Sequence, residues 1–271
     1  MTYKFADNRE KYLGMGESAA GLGCMLGPML GSIFYSYLHY FGAFMIFAGF
    51  LAFAAILSFF TLSASLNVKL DVMNAEERAI SRKLEAKVPY KWFFSSVRSI
   101  FALLTCTYVC LIFSFHAAFF TTALKKEKGV DEFYHGFIVS AQPTFYVLAT
   151  IVVGHVIHML PKRVFIAISC CACAIALAIM GPSYYLGFPN SLWILIVGQA
   201  LQGAALGFVF IPILPEMIDS VYVGQNIVEG DDERVDGIIS DKAAGLYGSF
   251  YSTGMIISPL LGSLIYEHFQ E

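Results

Sequence analysis

Two titratable side chains inside long apolar stretches are the residues of this chain that could move protons. Glu17 lies a few residues into the first apolar stretch, and it is the only acid well inside any of them. His116 lies within the third stretch, and histidine titrates near neutral pH. An ionised group far from water is costly and usually functional. We name Glu17 and His116 as candidate proton sites. The alternatives are a Glu17 that reaches the cytoplasmic interface and a His116 that hydrogen-bonds between helices.

Three amide side chains form a second group of candidates, suited to hydrogen bonding rather than to proton transfer. Gln142 precedes a proline in one apolar stretch, whereas Gln199 and Gln202 lie in another, where a helical spacing puts them on one face. An amide both donates and accepts hydrogen bonds, so it can contact a polar solute. We name these three as candidates to line a polar cavity, with hydrogen bonding between helices as the alternative.

Sequence motifs of established catalytic chemistry are absent. The chain has no G-x-S-x-G, no phosphate-binding G-x-x-x-x-G-K-[ST] and no H-E-x-x-H. All six cysteines lie in apolar stretches and are interpreted as small apolar residues, not as disulfide partners or metal ligands. The net charge of -3 does not favour nucleic acid as a partner. We therefore expect no enzyme, no metal, no cofactor and no nucleic-acid partner.

Seven apolar stretches are long enough to cross a lipid bilayer, for which a helix needs about 20 residues. The chain is 58% hydrophobic and 14% charged, whereas a soluble domain is about half apolar and about a quarter charged. The predicted fold class is an all-α integral membrane protein with seven transmembrane helices. They are expected at 12–37, 40–62, 93–120, 134–159, 163–186, 191–214 and 243–266.

The distribution of lysine and arginine predicts the orientation of these spans. With the N-terminus in the cytoplasm, 14 of the basic residues fall on the inner side and only Lys125, Lys126 and Lys128 on the outer side. We therefore expect a multi-pass integral membrane protein with a cytoplasmic N-terminus. Arg98, at the start of the third span, is expected to extend to the lipid headgroups. The acidic segment 215–242 is expected to be a loop.

One glycine–proline pattern occurs twice, 231 residues apart, in the first and the seventh predicted spans. Both copies read G-x8-G-x3-[GS]-P-x2-G-S, so the repeat has a period of six helices. Small residues on one face let helices approach closely, and a proline bends a helix. A duplicated membrane helix is typical of a transporter built from two repeated halves. The copies are Gly14, Gly23, Gly27-Pro28, Gly31-Ser32 and Gly245, Gly254, Ser258-Pro259, Gly262-Ser263.

The first copy closely resembles motif C of the major facilitator superfamily, G-x8-G-x3-G-P-x2-G-G, with Ser32 in place of the last glycine. In that family the motif characterises the fifth helix of proton-coupled drug and amine antiporters, where it is thought to seal the two six-helix bundles against leak. The resemblance implies that this chain corresponds to helices five to eleven. Its second copy would then lie on helix eleven.

Two further segments resemble motifs of the same family more weakly. Residues 154–163 resemble motif A at the turn between helices eight and nine, and His158 stands where that motif carries the aspartate of a gating salt bridge. The segment from Gln199 to Gly203 resembles motif B, with Gln199 at its arginine position. These two similarities agree with the assignment of helices but do not establish it.

The resemblance divides the chain into three parts. Residues 1–62 would be the last two helices of an N-terminal six-helix half, 63–92 a cytoplasmic connector, and 93–271 five helices of the C-terminal half. The implied partners are the lipid bilayer, a small organic solute, and additional helices from another chain or from sequence not present. The expected function is secondary active transport, with proton antiport as the implied coupling. The alternative is a transport-inactive remnant that serves as a structural subunit of a larger membrane complex.

Overall fold

The computed structural model describes residues 9–61, 84–115, 120–126, 128–157, 159–181, 187, 189 and 191–268. Within these residues the regular structure is helical, with no strand. Numbered in chain order, the helices are α1 (Arg9–Thr61), α2 (Lys91–Ser95), α3 (Val97–Phe115), α4 (Phe120–Lys126), α5 (Glu132–Val139), α6 (Ala141–Val156), α7 (Lys162–Met180), α8 (Leu192–Gln225) and α9 (Glu233–His268).

The longest helix, α1, consists of two arms that meet at His39. The backbone of His39 leaves the helical region, with φ 56° and ψ −171°. The rings of Phe34 and Phe47 lie 5.8 Å apart, although a straight helix would separate these residues by about 20 Å. The chain therefore folds back at His39. The arms 9–38 and 40–61 correspond to the first two predicted spans.

Six helical stretches of the described residues are long and apolar enough to cross a membrane. Because one of them contains both arms of α1, together they cover all seven predicted spans. The fourth predicted span is divided into α5 and α6, which meet at Ser140. Pro143 lies in the first turn of α6, where its missing N–H is tolerated.

Helix α8 is the centre of a bundle formed with α3, α6 and α7. Two glycines of α8 let these helices approach at backbone distance. A Cβ at Gly203 would lie 2.0 Å from the carbonyl oxygen of Gln142 in α6, and one at Gly198 would lie 2.9 Å from Met180 in α7. Without a hydrophobic driving force in lipid, such close contacts are a main source of helix association. Helix α9 packs mainly on α3, and α1 packs on α5 and α6.

The segment that precedes α3 is fixed to the start of α9 by Lys242. Its ammonium group donates to the carbonyl oxygens of Glu85 at 2.9 Å and Val88 at 2.7 Å. It also lies 4.9 Å from the centre of the Tyr90 ring. Val88 and Phe93 are fully buried beside these contacts. This end of the predicted connector is therefore anchored to the last helix.

The expectation of a loop over 215–242 is wrong for most of that segment. Helix α8 continues to Gln225, and α9 begins at Glu233, so only residues 226–232 are non-helical. Asn226 ends α8 in the left-handed conformation. The Asp236 carboxylate accepts from the Tyr222 hydroxyl and from the Gly230 amide, each at 2.8 Å. Acidic residues are costly in lipid, but they are tolerated on the part of a helix that extends into water. Composition alone did not distinguish such a helix end from a loop.

Candidate functional site

The first copy of the repeated pattern contacts α5 through small residues and backbone atoms. A Cβ at Gly136 would lie 2.0 Å from the carbonyl oxygen of Pro28 and 2.0 Å from the Ser32 hydroxyl oxygen. The hydroxyl of Ser140 donates to the carbonyl oxygen of Met25 at 2.8 Å. We call this contact between α1 and α5–α6 the seam. Only small residues on both sides permit it.

The glycines of the first copy do not lie in the seam. Around Gly23 and Gly27, a Cβ would meet no atom within 4 Å, and at Gly31 it would meet only the Phe47 ring of the second arm, at 4.0 Å. Gly14 also lies in α1. The first arm therefore presents a face of glycines that is open within the described residues.

The second copy makes its close contact through the equivalent glycine face. A Cβ at Gly254 would lie 2.4 Å from the carbonyl oxygen of Thr107 in α3. The hydroxyl of Ser258 donates to the carbonyl oxygen of Leu111 at 2.6 Å, and that of Thr107 donates to Phe250 at 3.2 Å. Gly262 is buried, whereas Gly245 and Pro259 are exposed. In α9 the glycine face is thus filled by α3.

The repeat makes the two helices comparable position by position. We define the glycine face as Gly23 and Gly27 in α1 and as Gly254 and Ser258 in α9. We define the seam face as Gly21, Met25, Pro28 and Ser32 in α1 and as Ser252, Ile256, Pro259 and Ser263 in α9. The seam face is occupied in α1, but all four of its equivalents in α9 are exposed. Each copy therefore has one filled face and one open face, and the filled faces differ.

The structure brings the three predicted amide residues into the bundle of α3, α6 and α8. Gln142 is 3% exposed, and Gln199 and Gln202 are 0% exposed. The Nε2 of Gln202 donates to the carbonyl oxygen of Ile112 in α3, at 3.4 Å. Among the described residues, the Nε2 of Gln142, both amide atoms of Gln199 and the Oε1 of Gln202 have no hydrogen-bond partner. We call these three residues the amide cluster.

Aromatic rings from four helices form a continuous chain beside the amide cluster. Tyr146, one turn after Gln142 in α6, lies 6.3 Å from the Phe113 ring of α3 and 6.0 Å from the Phe210 ring of α8. The Phe210 ring lies 5.9 Å from that of Tyr251 in α9. Rings at these distances attract each other beyond simple area burial, so they fix the relative positions of the four helices.

Glu216 of α8, which was not singled out from the sequence, accepts hydrogen bonds from Arg98 and forms an ion pair with Arg163. It is 5% exposed. It lies 2.8 Å from Arg98 Nη2 and 3.5 Å from Arg163 Nε. Beside it, Lys162 binds Asp219 at 2.6 Å. The expectation that Arg98 extends to the lipid headgroups is therefore wrong, because a buried carboxylate lies within its reach.

A sequence signal for this ion-pair cluster was available. Glu216 and Asp219 are three residues apart and so share a helix face, and the adjacent Lys162 and Arg163 offer matching positive charges. These cations belong to the segment that resembles motif A. Of that segment, His158 and the side chain of His155 lie outside the described residues. The described cations hold the start of α7 to α8.

A cavity of about 480 Å³ opens between the first arm of α1, α4 and α5. The carboxylate of Glu132 binds the ammonium group of Lys125 at its rim. The His135 ring nitrogen Nε2 is 3.0 Å from the carbonyl oxygen of Val130. The cavity is lined by Gly31, Ser32, Tyr35, Thr121, Thr122, Lys125, Lys126, Glu132 and His135. From the sequence, Lys125 and Lys126 were used only to predict which side of the membrane this segment faces.

The two candidate proton sites cannot be placed against these features. Glu17 lies on α1, but its side chain is outside the described part of the chain, and His116 lies outside it altogether. Their roles stay predictions.

Long helices with exposed apolar side chains, such as Phe41 at 76% and Phe59 at 81% exposure, define an integral, multi-pass membrane protein. A family model described as Major Facilitator Superfamily matches residues 3–226. The chain therefore belongs to the Major Facilitator Superfamily, and its all-α structure is a partial form of that fold.

Curated relatives agree with the family. The chain is 23% identical over 267 residues to the MFS-type transporter SLC18B1 of Rattus norvegicus, covering 97% of this chain and 53% of that protein. It is 23% identical over 270 residues to the Mus musculus protein of the same name, with the same two coverages. The chain thus spans about half the length of the curated relatives it matches. No solved structure matches it significantly.

Proposed function

We propose that this chain is part of a secondary active transporter that moves a small organic solute by proton antiport. The observation that carries the proposal is the seam. There, the helix with the motif C pattern meets α5 through Gly136 at backbone distance. Such a contact closes the gap between two helix bundles without interlocking side chains. The two bundles can therefore rotate relative to each other along it.

The division of the chain into halves is part of this proposal. Residues 1–62 belong to the first half, 63–92 to the connector and 93–271 to the second half. The open faces support additional helices. The glycine face of α1 is shaped for a helix like α3, and the seam face of α9 for a helix like α5–α6. These helices come from another chain or from sequence outside this one.

We also propose that the N-terminus is cytoplasmic. The ion-pair cluster around Glu216 then lies at the inner side and the cavity near Lys125 at the outer side. The charge distribution supports this orientation, because Lys and Arg are concentrated in the inner segments.

Glu17 and His116 are the proposed proton sites, and Gln142, Gln199 and Gln202 the proposed polar contacts of the solute. In proteoliposomes, solute-induced proton release is measured with a pH-sensitive dye in the lumen. We expect Glu17→Gln to abolish proton release, while Glu229→Gln, in the exposed loop, keeps it. Proton release by Glu17→Gln at the wild-type rate would exclude Glu17 as the proton site.

The seam gives the test of the function itself. The purified chain, together with whatever co-purifies with it, is reconstituted under a pH gradient and offered a panel of small organic amines, acids and neutral solutes. We expect at least one solute to release protons, Gly136→Val to lose this activity, and Gly49→Val to keep it, because a Cβ at Gly49 meets no atom within 4 Å.

The second candidate function is that of a structural subunit without transport. The extensive exposure of α1 favours this function, since only 6% of its most apolar stretch of 18 residues is buried inside the structure. An uncovered apolar surface of this kind suits a permanent partner protein. If no solute releases protons and the chain purifies in a fixed ratio with another membrane protein, this second function replaces the first.

A further inference from the structure

The amide cluster is a buried hydrogen-bonding site whose capacity the described residues leave unused. Two donors, the Nε2 groups of Gln142 and Gln199, have no partner, and neither have two acceptors, the Oε1 atoms of Gln199 and Gln202. All three side chains are at most 3% exposed, so bulk water does not reach them. Polar atoms kept from water without a partner lose hydrogen bonds that the unfolded chain makes. Four such atoms on two helices that meet at backbone distance, α6 and α8, indicate a guest.

The chemistry of the cluster defines that guest. An amide carries no charge at any physiological pH, and it presents both a donor and an acceptor. The nearest buried carboxylate on α8 belongs to Glu216, about 21 Å further along the helix axis at 1.5 Å per residue. A bound cation would find oxygens but no counter-charge, and it would face amide hydrogens as well. A neutral group that both donates and accepts matches the two open donors and two open acceptors.

We propose that Gln142, Gln199 and Gln202 form a binding site for a neutral hydroxyl or amide group, filled either by ordered water or by that group of a transported solute. The tight approach of Gly203 to Gln142 holds α6 and α8 at the distance that keeps the site closed. The site lies within the second-half bundle. In its solute form the inference rests on the proposed transport function; in its water form it stands without it.

The first test compares single and combined substitutions. Gln142→Leu, Gln199→Leu and Gln202→Leu are measured alone and together by thermal unfolding in detergent. Each single variant leaves the guest and the other amides short of partners, so we expect the midpoint to fall by about 2–4 °C. The triple variant removes the whole polar set, so its midpoint should lie above the sum of the single losses, close to that of the wild type.

The second test detects the guest in the wild-type protein. Hydroxyl radicals generated by X-rays from bound water label nearby side chains even when these are inaccessible. The labelling of each residue is divided by the intrinsic reactivity of its side chain toward hydroxyl radicals. Tyr146 lies one turn from Gln142 and is 8% exposed, and the fully buried Phe93 is the control. We expect stronger labelling of Tyr146 than of Phe93 in the wild type and loss of that excess in the triple variant.

A matched pair of small neutral molecules separates the two sources. Acetamide both donates and accepts hydrogen bonds, whereas acetone, of similar size, only accepts them. If acetamide alone lowers Tyr146 labelling or raises the unfolding midpoint, and the triple variant shows neither effect, the guest is a polar group of a solute. If neither molecule acts while Tyr146 is labelled in excess, the guest is water.

The proposal is overturned if Tyr146 is labelled no more than Phe93 and acetamide changes neither readout, whatever the stabilities of the variants. Failure of transport with an intact labelling excess would instead refute only the proposed function.

Discussion

Two helices of this molecule carry one residue pattern and use it on opposite faces. In α1 the seam face packs against α5 and α6, and a Cβ at Gly23 or Gly27 would meet no atom within 4 Å. In α9 the glycine face is buried against α3, and the residues equivalent to the seam are exposed. The pattern therefore encodes a helix that can be approached closely from two sides. Which side is filled depends on the neighbours present.

The largest effect is expected at the seam, where a side chain would have to displace backbone atoms. Gly136→Val places a Cβ 2.0 Å from the carbonyl oxygen of Pro28, so we expect a loss of about 3 kcal/mol. The measurement is unfolding of the purified protein by denaturing detergent. Gly49→Val serves as the control and should change stability little. Wild-type stability of Gly136→Val would show that α1 does not lie where the seam puts it.

The equivalent glycines of the two copies give the sharpest test of the comparison. Gly254→Val would bring a Cβ to 2.4 Å from the Thr107 carbonyl oxygen, and we expect a loss of about 2 kcal/mol. Gly23→Val meets open space and should stay within about 0.5 kcal/mol of wild type. Both values come from the same unfolding assay.

The Gly23→Val variant also tests whether a further helix covers the glycine face of α1 in the cell. If a helix fills the open face in the cell, Gly23→Val should lower the amount of protein in membranes although the purified chain tolerates it. Equal losses for Gly23→Val and Gly254→Val in the purified chain would contradict the difference between the two faces.

A smaller effect is expected at the next position of the repeat. Ser258→Ala removes the hydrogen bond to Leu111 and should cost about 1 kcal/mol. Gly27→Ser gives the first copy the residue of the second, and on an open face it should be neutral. A thermal shift assay on the two variants distinguishes them, and destabilisation by Gly27→Ser would show that its face is already occupied.

The smallest effect has the opposite sign and concerns the turn that sets α1 apart from α9. His39 has φ 56° and ψ −171°, a conformation that is accessible to glycine but costs other residues about 1–3 kcal/mol. We expect His39→Gly to raise the unfolding midpoint, whereas His39→Ala should not. An unchanged or lowered midpoint for His39→Gly would mean that the His39 side chain contributes more than its backbone costs.

The spans could be predicted because they depend on a local property, the length of an apolar stretch. The fourth span was expected as one helix over 134–159, although a proline such as Pro143 can interrupt a helix. The same reasoning placed Gln142, Gln199 and Gln202 in apolar surroundings. It could not say that they would lie in one bundle with amide atoms left unpaired, because that depends on the register between α6 and α8.

Contacts between distant parts of the chain were beyond sequence reasoning. Arg98 and Glu216 are far apart in the chain, and nothing local indicates that the start of α3 lies beside the C-terminal part of α8. The choice of face is likewise not encoded in the repeated pattern, since both copies carry the same spacing of glycine and proline. It follows from whether a helix like α3 or one like α5 is the neighbour.

The anchoring of residues 85 and 88 by Lys242 has a practical consequence for observing motion. Because these carbonyl groups are fixed to the first turns of α9, we expect the exposed side chain of Lys87 to move together with α9. A fluorophore attached at Lys87→Cys, paired with a second one on the first arm of α1, would turn any movement of α9 relative to that arm into a change in energy-transfer efficiency.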